Sequence, residues 1–219
     1  MSNHPWQVSC DQDALEKCRK DAKFPYVVAL ARAVNALTFV RSVMSYIPKE
    51  VVTPAAKRDR LNSYLFGSAI IYEVLQLVRT MGRAFHDDET YREGLALLLG
   101  DPIARQIEQD HLKRVRHNAV FHFDVDIFRE TIEKGGPGEC LFISGSSRVR
   151  SDIHYAYADI ISAEILVGQP AMKVEFNAVL GDAAAKTDKL VTDFVQHAEA
   201  LISSHLPRWG FTVRTVEPT

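Results

Sequence analysis

The sequence predicts a mainly α protein, an up-and-down helical bundle with a small β-hairpin near 139–152. Two observations lead to this prediction. Apolar residues recur at spacings of three and four through most of the 219 residues, and Pro or Gly punctuates the breaks between these stretches. The composition, with 47% apolar and 25% charged residues, is that of a folded globular chain. We therefore expect one helical domain over 1–219.

Helices are predicted wherever the 3.6-residue period persists, and Pro and Gly set their ends. Pro48 ends the second helix, and Gly100-Asp101-Pro102 ends the fourth and starts the fifth. The third helix is apolar on most sides between Leu65 and Val78, which is typical of a central helix. The predicted helices are 11–22, 25–47, 56–83, 87–99, 102–122, 124–134, 154–167 (with a strand as the alternative) and a long one within 170–205.

Three features near the C-terminal half modify this pattern. Two short apolar runs about Gly145-Ser-Ser predict the hairpin. Gly181 is expected to interrupt or loosen the last long helix. The tail from Trp209 is expected to be irregular.

Charge and cysteine content restrict the partners and the compartment. With 26 basic and 28 acidic residues the net charge is −2, so any contact with RNA needs a local basic patch. The three cysteines form no paired or zinc-binding pattern, which favours reduced thiols in a reducing compartment. The first residues do not resemble a secretory signal, and polar residues interrupt the longest apolar stretches. We expect a cytoplasmic protein that does not span a membrane.

The segment from Leu112 to Asp124 concentrates basic residues and histidines. On an ideal helix four of its residues share the buried face, and Arg116 lies about 120° around from the last of them, His122. The four are Leu112, Val115, Ala119 and His122. The other positions, Lys113, Arg114 and His117, are expected to point toward solvent.

An arginine and a histidine in this relation suit phosphodiester chemistry. A guanidinium offers a fixed fork of donors to phosphate oxygens, and an imidazole exchanges a proton near neutral pH. Together they can activate a ribose 2′-hydroxyl and stabilise the phosphorane without a metal ion. A histidine on an apolar face is also commonly a hydrogen-bonded core residue. His122 therefore has both a catalytic and a structural interpretation.

The seven residues Arg116-His-Asn-Ala-Val-Phe-His122 resemble the signature of the HEPN superfamily, an Arg followed by a polar residue and then a His after four to six intervening residues. The helix order is similar too, so 25–130 would be the HEPN-like core and 139–206 an addition to it. The resemblance implies a homodimer in which two motifs share one cleft. In catalytic members it implies a metal-independent endoribonuclease in stress, defence or toxin–antitoxin function.

By this resemblance Arg116 would neutralise the scissile phosphate and His122 would be the general acid or base. His117 occupies the polar position after the arginine. The chain continues His122-Phe-Asp where one toxin branch has His-x-Tyr, so it departs from that branch and from its tyrosine modification.

Other residues are predicted around this pair. Glu73 either faces Arg116 across the bundle or lies on a polar stripe with Gln76 and Thr80. The supporting residues are Glu73, His117 and Asn118, and the phosphate-binding residues are Arg105, Lys113 and Arg114.

Two alternatives remain open. One is a non-catalytic helical homodimer that binds a nucleotide, a small ligand or a partner protein, with Arg116 and His122 holding the fold. The other is a metal site of His122, Asp124 and Asp126, although acids just after a helix more often cap the next one. We expect no metal and no cofactor.

Overall fold

The computed structural model describes residues 6–46, 53–120, 125–134, 156–168 and 176–215. Its architecture is mainly α, as predicted. The helices are α1 (Gln12–Lys20), α2 (Phe24–Tyr46), α3 (Pro54–Met81), α4 (Glu89–Glu93), α5 (Leu95–Gly100), α6 (Pro102–Ile107), α7 (Val125–Glu133), α8 (Ala156–Val167) and α9 (Phe176–His205). Two π-helical segments, Glu108–Leu112 and Val115–Val120, continue α6, and a 3₁₀ turn, Leu206–Trp209, continues α9. The strands are β1 (Trp6–Ser9) and β2 (Thr212–Thr215).

Short polar side chains begin four of the helices. In each case a carboxylate or hydroxyl oxygen accepts a hydrogen bond from a backbone N–H two or three residues further on, which satisfies a donor that the helix itself leaves unpaired. These N-caps are Asp11, Thr53, Asp88 and Asp101. Pro102 follows the last of them and Gly100 ends α5, which confirms the predicted stop and restart.

The main core lies between α2, α3, α9 and the short helices α4 to α6. Its fully buried side chains include Leu37 of α2, Ile71 of α3, Phe85, and Phe194 of α9. Helix α3 contacts α2, α8, α9 and the second π segment, so it occupies the central position that its apolar sequence predicts. A smaller cluster joins α3, the second π segment and α8 through Tyr64, Leu65, Val115 and Leu166.

Several predicted elements differ from the structure. Gly181 does not interrupt the last helix, because α9 is continuous and the buried side chains of Ala183, Thr187 and Leu190 carry its core face across that region. The predicted fourth helix is divided at Gly94, where a Cβ atom would lie 2.9 Å from Nδ1 of His197 on α9. The close approach of α9 leaves no room for a side chain at Gly94, and the non-helical backbone angles of this residue divide the helix.

The C-terminal tail is also more regular than predicted. β1 and β2 pair antiparallel, with Trp6 opposite Thr215 and Ser9 opposite Thr212, so the expectation of an irregular tail is wrong. The register brings the two ends of the chain together, a contact between distant segments that no local pattern reveals. For 154–167 the helical alternative is confirmed over Ala156–Val167, whereas the hairpin near 139–152 lies outside the described residues.

Among the described residues, two helical stretches are long and apolar enough to cross a membrane, by length and composition alone: Phe24–Tyr46, and Arg58–Met81 within α3. The buried core helix of a soluble bundle passes the same test. The finding is weak evidence for a membrane span, and the expectation of none stays a prediction.

Candidate functional site

Residues 116–120 of the motif lie on a helix, here called the motif helix (102–120), that is π-helical rather than α-helical over most of its described length. Glu108–Leu112 and Val115–Val120 are both π segments, and Lys113 and Arg114 lie between them. A π turn closes its hydrogen bond over five residues instead of four and is often found at functional sites. The angles of an ideal α-helix therefore do not hold here. Leu112 and Val115 are nevertheless fully buried, as predicted.

Helix α3 lies antiparallel to this motif helix, and polar contacts join the two. Near the start of the motif helix, the Glu108 carboxylate accepts hydrogen bonds from both terminal nitrogens of Arg79 and from Nε2 of Gln76 at 3.0 Å. The hydrogen bond to Glu108 raises the pKa of Arg79 above its usual value. One turn earlier on α3, Glu73 meets Arg116 near the end of the motif helix. These contacts fix how the two helices lie side by side.

The Glu73–Arg116 ion pair is the central contact of the candidate site. Nε of Arg116 donates to Oε1 of Glu73 at 2.5 Å. The Arg116 side chain is 25% exposed and that of Glu73 is 51% exposed. A pair this accessible contributes roughly 0–1 kcal/mol to stability. Its main effect is to orient the guanidinium while leaving it within reach of an anionic ligand.

Both sequence interpretations of Glu73 hold in part. Glu73 faces Arg116 across the helix pair, as the first interpretation predicts. Gln76 lies on the same side of α3 and reaches the same helix at Glu108. Thr80 is exposed, and its hydroxyl donates to the carbonyl of Leu77 within α3. The polar stripe therefore exists, and two of its residues, Glu73 and Gln76, form hydrogen bonds with the motif helix.

The neighbouring residues on the two helices also meet. The ring of His117 lies edge-on to the ring of Tyr72, with centroids 5.8 Å apart and an interplanar angle of 73°. His117 is exposed, as predicted. Tyr72, Glu73, Arg116 and His117, here called the Arg116 cluster, bring a carboxylate, a guanidinium and an imidazole together on adjacent helices. Such a set can bind a phosphate and exchange a proton beside it.

The three predicted phosphate-binding cations have different environments. Arg114 is partly buried and does not point to solvent as predicted, because its Nη1 donates to the Leu166 carbonyl at 3.3 Å at the end of α8. Arg105 is exposed, and its Nε donates to the Leu99 carbonyl at 3.0 Å near the end of α5. Lys113 is exposed to solvent. Two of the three cations thus satisfy helix-end carbonyls, a common use of basic side chains.

Some predicted residues lie outside what the structure describes. His122 and Asp124 fall in 121–124, and Asn118 belongs to the second π segment but its side chain is not described. Asp126, on α7, is exposed and pairs with Arg129 at 2.5 Å. Among the described residues, no three His, Cys, Asp or Glu side chains are grouped so as to hold a metal ion.

Sequence reasoning missed two residues near the site. Tyr72 precedes Glu73 on α3, and a helical projection of its polar side would have found it. His111 has its Nδ1 atom 3.3 Å from the Leu166 carbonyl, beside the Arg114 contact. No local sequence pattern predicts that contact, because Leu166 lies 55 residues from His111 in the sequence.

Comparisons with protein-family models, with curated proteins and with solved structures find no match for the chain.

Proposed function

We propose that this chain is a HEPN-like protein that binds RNA and, as a homodimer, cleaves it without a metal ion. The observation that carries the proposal is the Glu73–Arg116 pair. It presents a partly exposed, oriented guanidinium on a π-helical turn, beside the exposed imidazole of His117. An arginine held in this way suits the binding of a phosphodiester.

The chemistry assigned to the site needs two groups. Arg116 binds the scissile phosphate and stabilises the charge that develops on its oxygens, while Glu73 keeps the guanidinium in position. His122 either takes the proton of the ribose 2′-hydroxyl or protonates the leaving 5′-oxygen, and solvent water makes the other proton transfer. Attack of the 2′-oxygen on phosphorus then breaks the bond to the 5′-oxygen and leaves a 2′,3′-cyclic phosphate. Stress response, defence or toxin–antitoxin function is the setting that the HEPN resemblance favours.

The test is cleavage of mixed RNAs in EDTA by the full chain. Arg116→Ala and His122→Ala should each lower the rate by about 100-fold or more, which is the usual cost of losing a charge-stabilising or proton-transferring group. Arg92→Ala and His86→Ala are matched controls, because both residues are exposed and lie away from the motif. The proposal fails if wild-type protein does not cleave, or if the controls lose as much activity as the motif variants.

A second candidate is the non-catalytic helical homodimer that binds a nucleotide, a small ligand or a protein partner. The observation that favours it is the structural use of the motif helix's cations, since Arg116 joins the helix to α3 and Arg114 joins it to α8. In that case Arg116→Ala and His122→Ala would lower the melting temperature and leave RNA binding unchanged. Measuring both quantities on the same variants separates the two functions.

A further inference from the structure

Two large aromatic side chains are exposed on adjacent helices. Phe39 of α2 is 64% exposed and Phe66 of α3 is 43% exposed. Neither side chain contributes to the core, and bundle helices normally place polar residues at such positions.

The two phenylalanines lie on the same side of the α2–α3 pair. The helices are antiparallel, because Tyr26 near the start of α2 meets Phe85 beyond the end of α3, whereas Val40 near the end of α2 lies against Gly67. A Cβ atom on Gly67 would be 3.1 Å from Cγ1 of Val40, so the two helices approach closely at this point. Each phenylalanine directly precedes a residue of that contact. In two antiparallel right-handed helices, the residues that directly precede the two contacting residues project to the same side of the helix pair.

The same side of α3 also carries the Arg116 cluster. Glu73 follows Phe66 by seven residues, which is two helical turns, about 10.5 Å along the axis and within about 20° in direction. Arg116 pairs with Glu73 at that point. The exposed aromatic pair and the oriented guanidinium therefore share one face of the molecule, about two turns apart.

We propose that Phe39 and Phe66 form a stacking platform for unpaired bases of single-stranded RNA whose phosphate is bound at Arg116. This inference rests on the proposed function and names the form of its substrate. An aromatic face stacks on any base, and an exposed pair beside a phosphate-binding arginine is the arrangement that single-stranded RNA needs. A duplex keeps its bases stacked on one another and cannot use such a platform.

The charge of α2 supports a polyanion on this face. Helix α2 contains no acidic residue and two arginines, of which Arg41 pairs with Asp188 of α9 at 3.7 Å. Arg32 precedes Phe39 by seven residues, so it lies two turns along the same exposed side, and it is exposed.

The test measures binding apart from cleavage. A fluorescent 2′-O-methyl single-stranded oligonucleotide, which has no free 2′-hydroxyl to attack, is titrated against the full chain in EDTA, and anisotropy gives the Kd. Phe66→Leu and Phe39→Leu keep the apolar character but remove the aromatic face. Each should weaken binding by about tenfold, the usual effect of losing one base stack. Leu97→Ala, which changes a side chain 66% exposed on α5, is the control and should leave the Kd unchanged.

Other outcomes overturn the inference. Unchanged affinity in both phenylalanine variants, or no binding by wild-type protein, removes the platform. A fall in oligomeric mass in either variant, measured by light scattering, assigns the face to a second copy instead. The proposed nuclease is judged separately. Cleavage that persists while the platform variants bind normally refutes only the platform, and platform-dependent binding without cleavage refutes only the nuclease.

Discussion

Gly168 shows how a single residue lets the motif helix meet α8. It follows the last residue of α8 with a φ angle of +76°, and its N–H donates to the Glu164 carbonyl at 2.7 Å. The guanidinium of Arg114 occupies the space where a side chain would be, because a Cβ atom there would lie 2.2 Å from Nη1. Glycine is therefore required twice, once for the left-handed backbone and once for the close approach.

We expect Gly168→Ala to destabilise the protein by about 1–2 kcal/mol, because the backbone would be strained and Arg114 displaced. The free energy of unfolding in urea measures this. Gly100→Ala is the matched control, since no atom lies within 4 Å of a Cβ built there and its φ angle is not positive. Combining Gly168→Ala with Arg114→Ala should recover part of the loss. Equal effects at positions 168 and 100 would contradict this account.

The motif helix shows which features of an element can be predicted from sequence. Burial of Leu112 and Val115 was predictable because Lys113 and Arg114 between them are α-helical, so a spacing of three residues keeps the two side chains on one face there. The direction of Arg114 was not predictable, because its acceptor is a carbonyl 52 residues away. The Glu73–Arg116 pair was partly predictable from the sequence. A polar residue on a mostly apolar helix indicated a partner, but two interpretations remained until the helices were placed together.

In helix α9, tertiary packing outweighs a local sequence preference, the preference of Gly181 for a helix break. Glycine in the middle of a helix costs only about 1 kcal/mol relative to alanine. The burial of several side chains on one face of α9 stabilises the helix by more than this cost. Ala183 and Phe194 are both fully buried. The helix therefore continues through Gly181, where a sequence pattern alone predicts a break.

This continuity makes Gly181 a site for stabilisation. No atom lies within 4 Å of a Cβ built at Gly181. We expect Gly181→Ala to raise the free energy of unfolding by about 0.5–1 kcal/mol, because alanine loses less backbone entropy in a helix. Gly210→Ala should have the opposite effect, since Gly210 has a φ angle of +80°. A loss of stability in Gly181→Ala would show that α9 is interrupted there after all.

At the level of the molecule, the N-terminal and C-terminal segments contact each other. β1 pairs with β2, and the Trp209 indole Nε1 donates to Asp21 between α1 and α2 at 2.8 Å. Next to these contacts the buried His205 ring lies 3.4 Å from the Asp88 carboxylate, which also caps α4. The Trp209–Asp21 bond joins residues 188 positions apart in sequence. Such pairings depend on the complete fold, which is why the sequence predicted none of them.

The Asp21 contact predicts how the stability of the whole molecule depends on pH. Burial raises the pKa of Asp21, but hydrogen bonds from the Lys23 amide and the Trp209 indole, together with the nearby His205, lower it more, so the net pKa lies below the ordinary value of 3.8. A lowered pKa in the folded state means that the carboxylate stabilises the protein above the pKa of the unfolded chain. That stabilisation is lost as the pH falls through the folded pKa.

Asp21→Asn should therefore lower the free energy of unfolding at about pH 7 by roughly 0.5–1 kcal/mol, the contribution of a partly exposed charge-assisted hydrogen bond. The difference from wild type should shrink in strongly acid solution, as the pH falls through the lowered folded pKa of Asp21 and the wild-type carboxyl is protonated too. Urea unfolding at neutral and at strongly acid pH measures it. Asp87→Asn removes an exposed carboxylate that pairs with Lys23 and should change stability little, because that pair is screened by solvent. A difference that stays constant from neutral to acid pH would mean that the charge of Asp21 does not hold the chain ends together, and that the amide merely packs less well against Trp209.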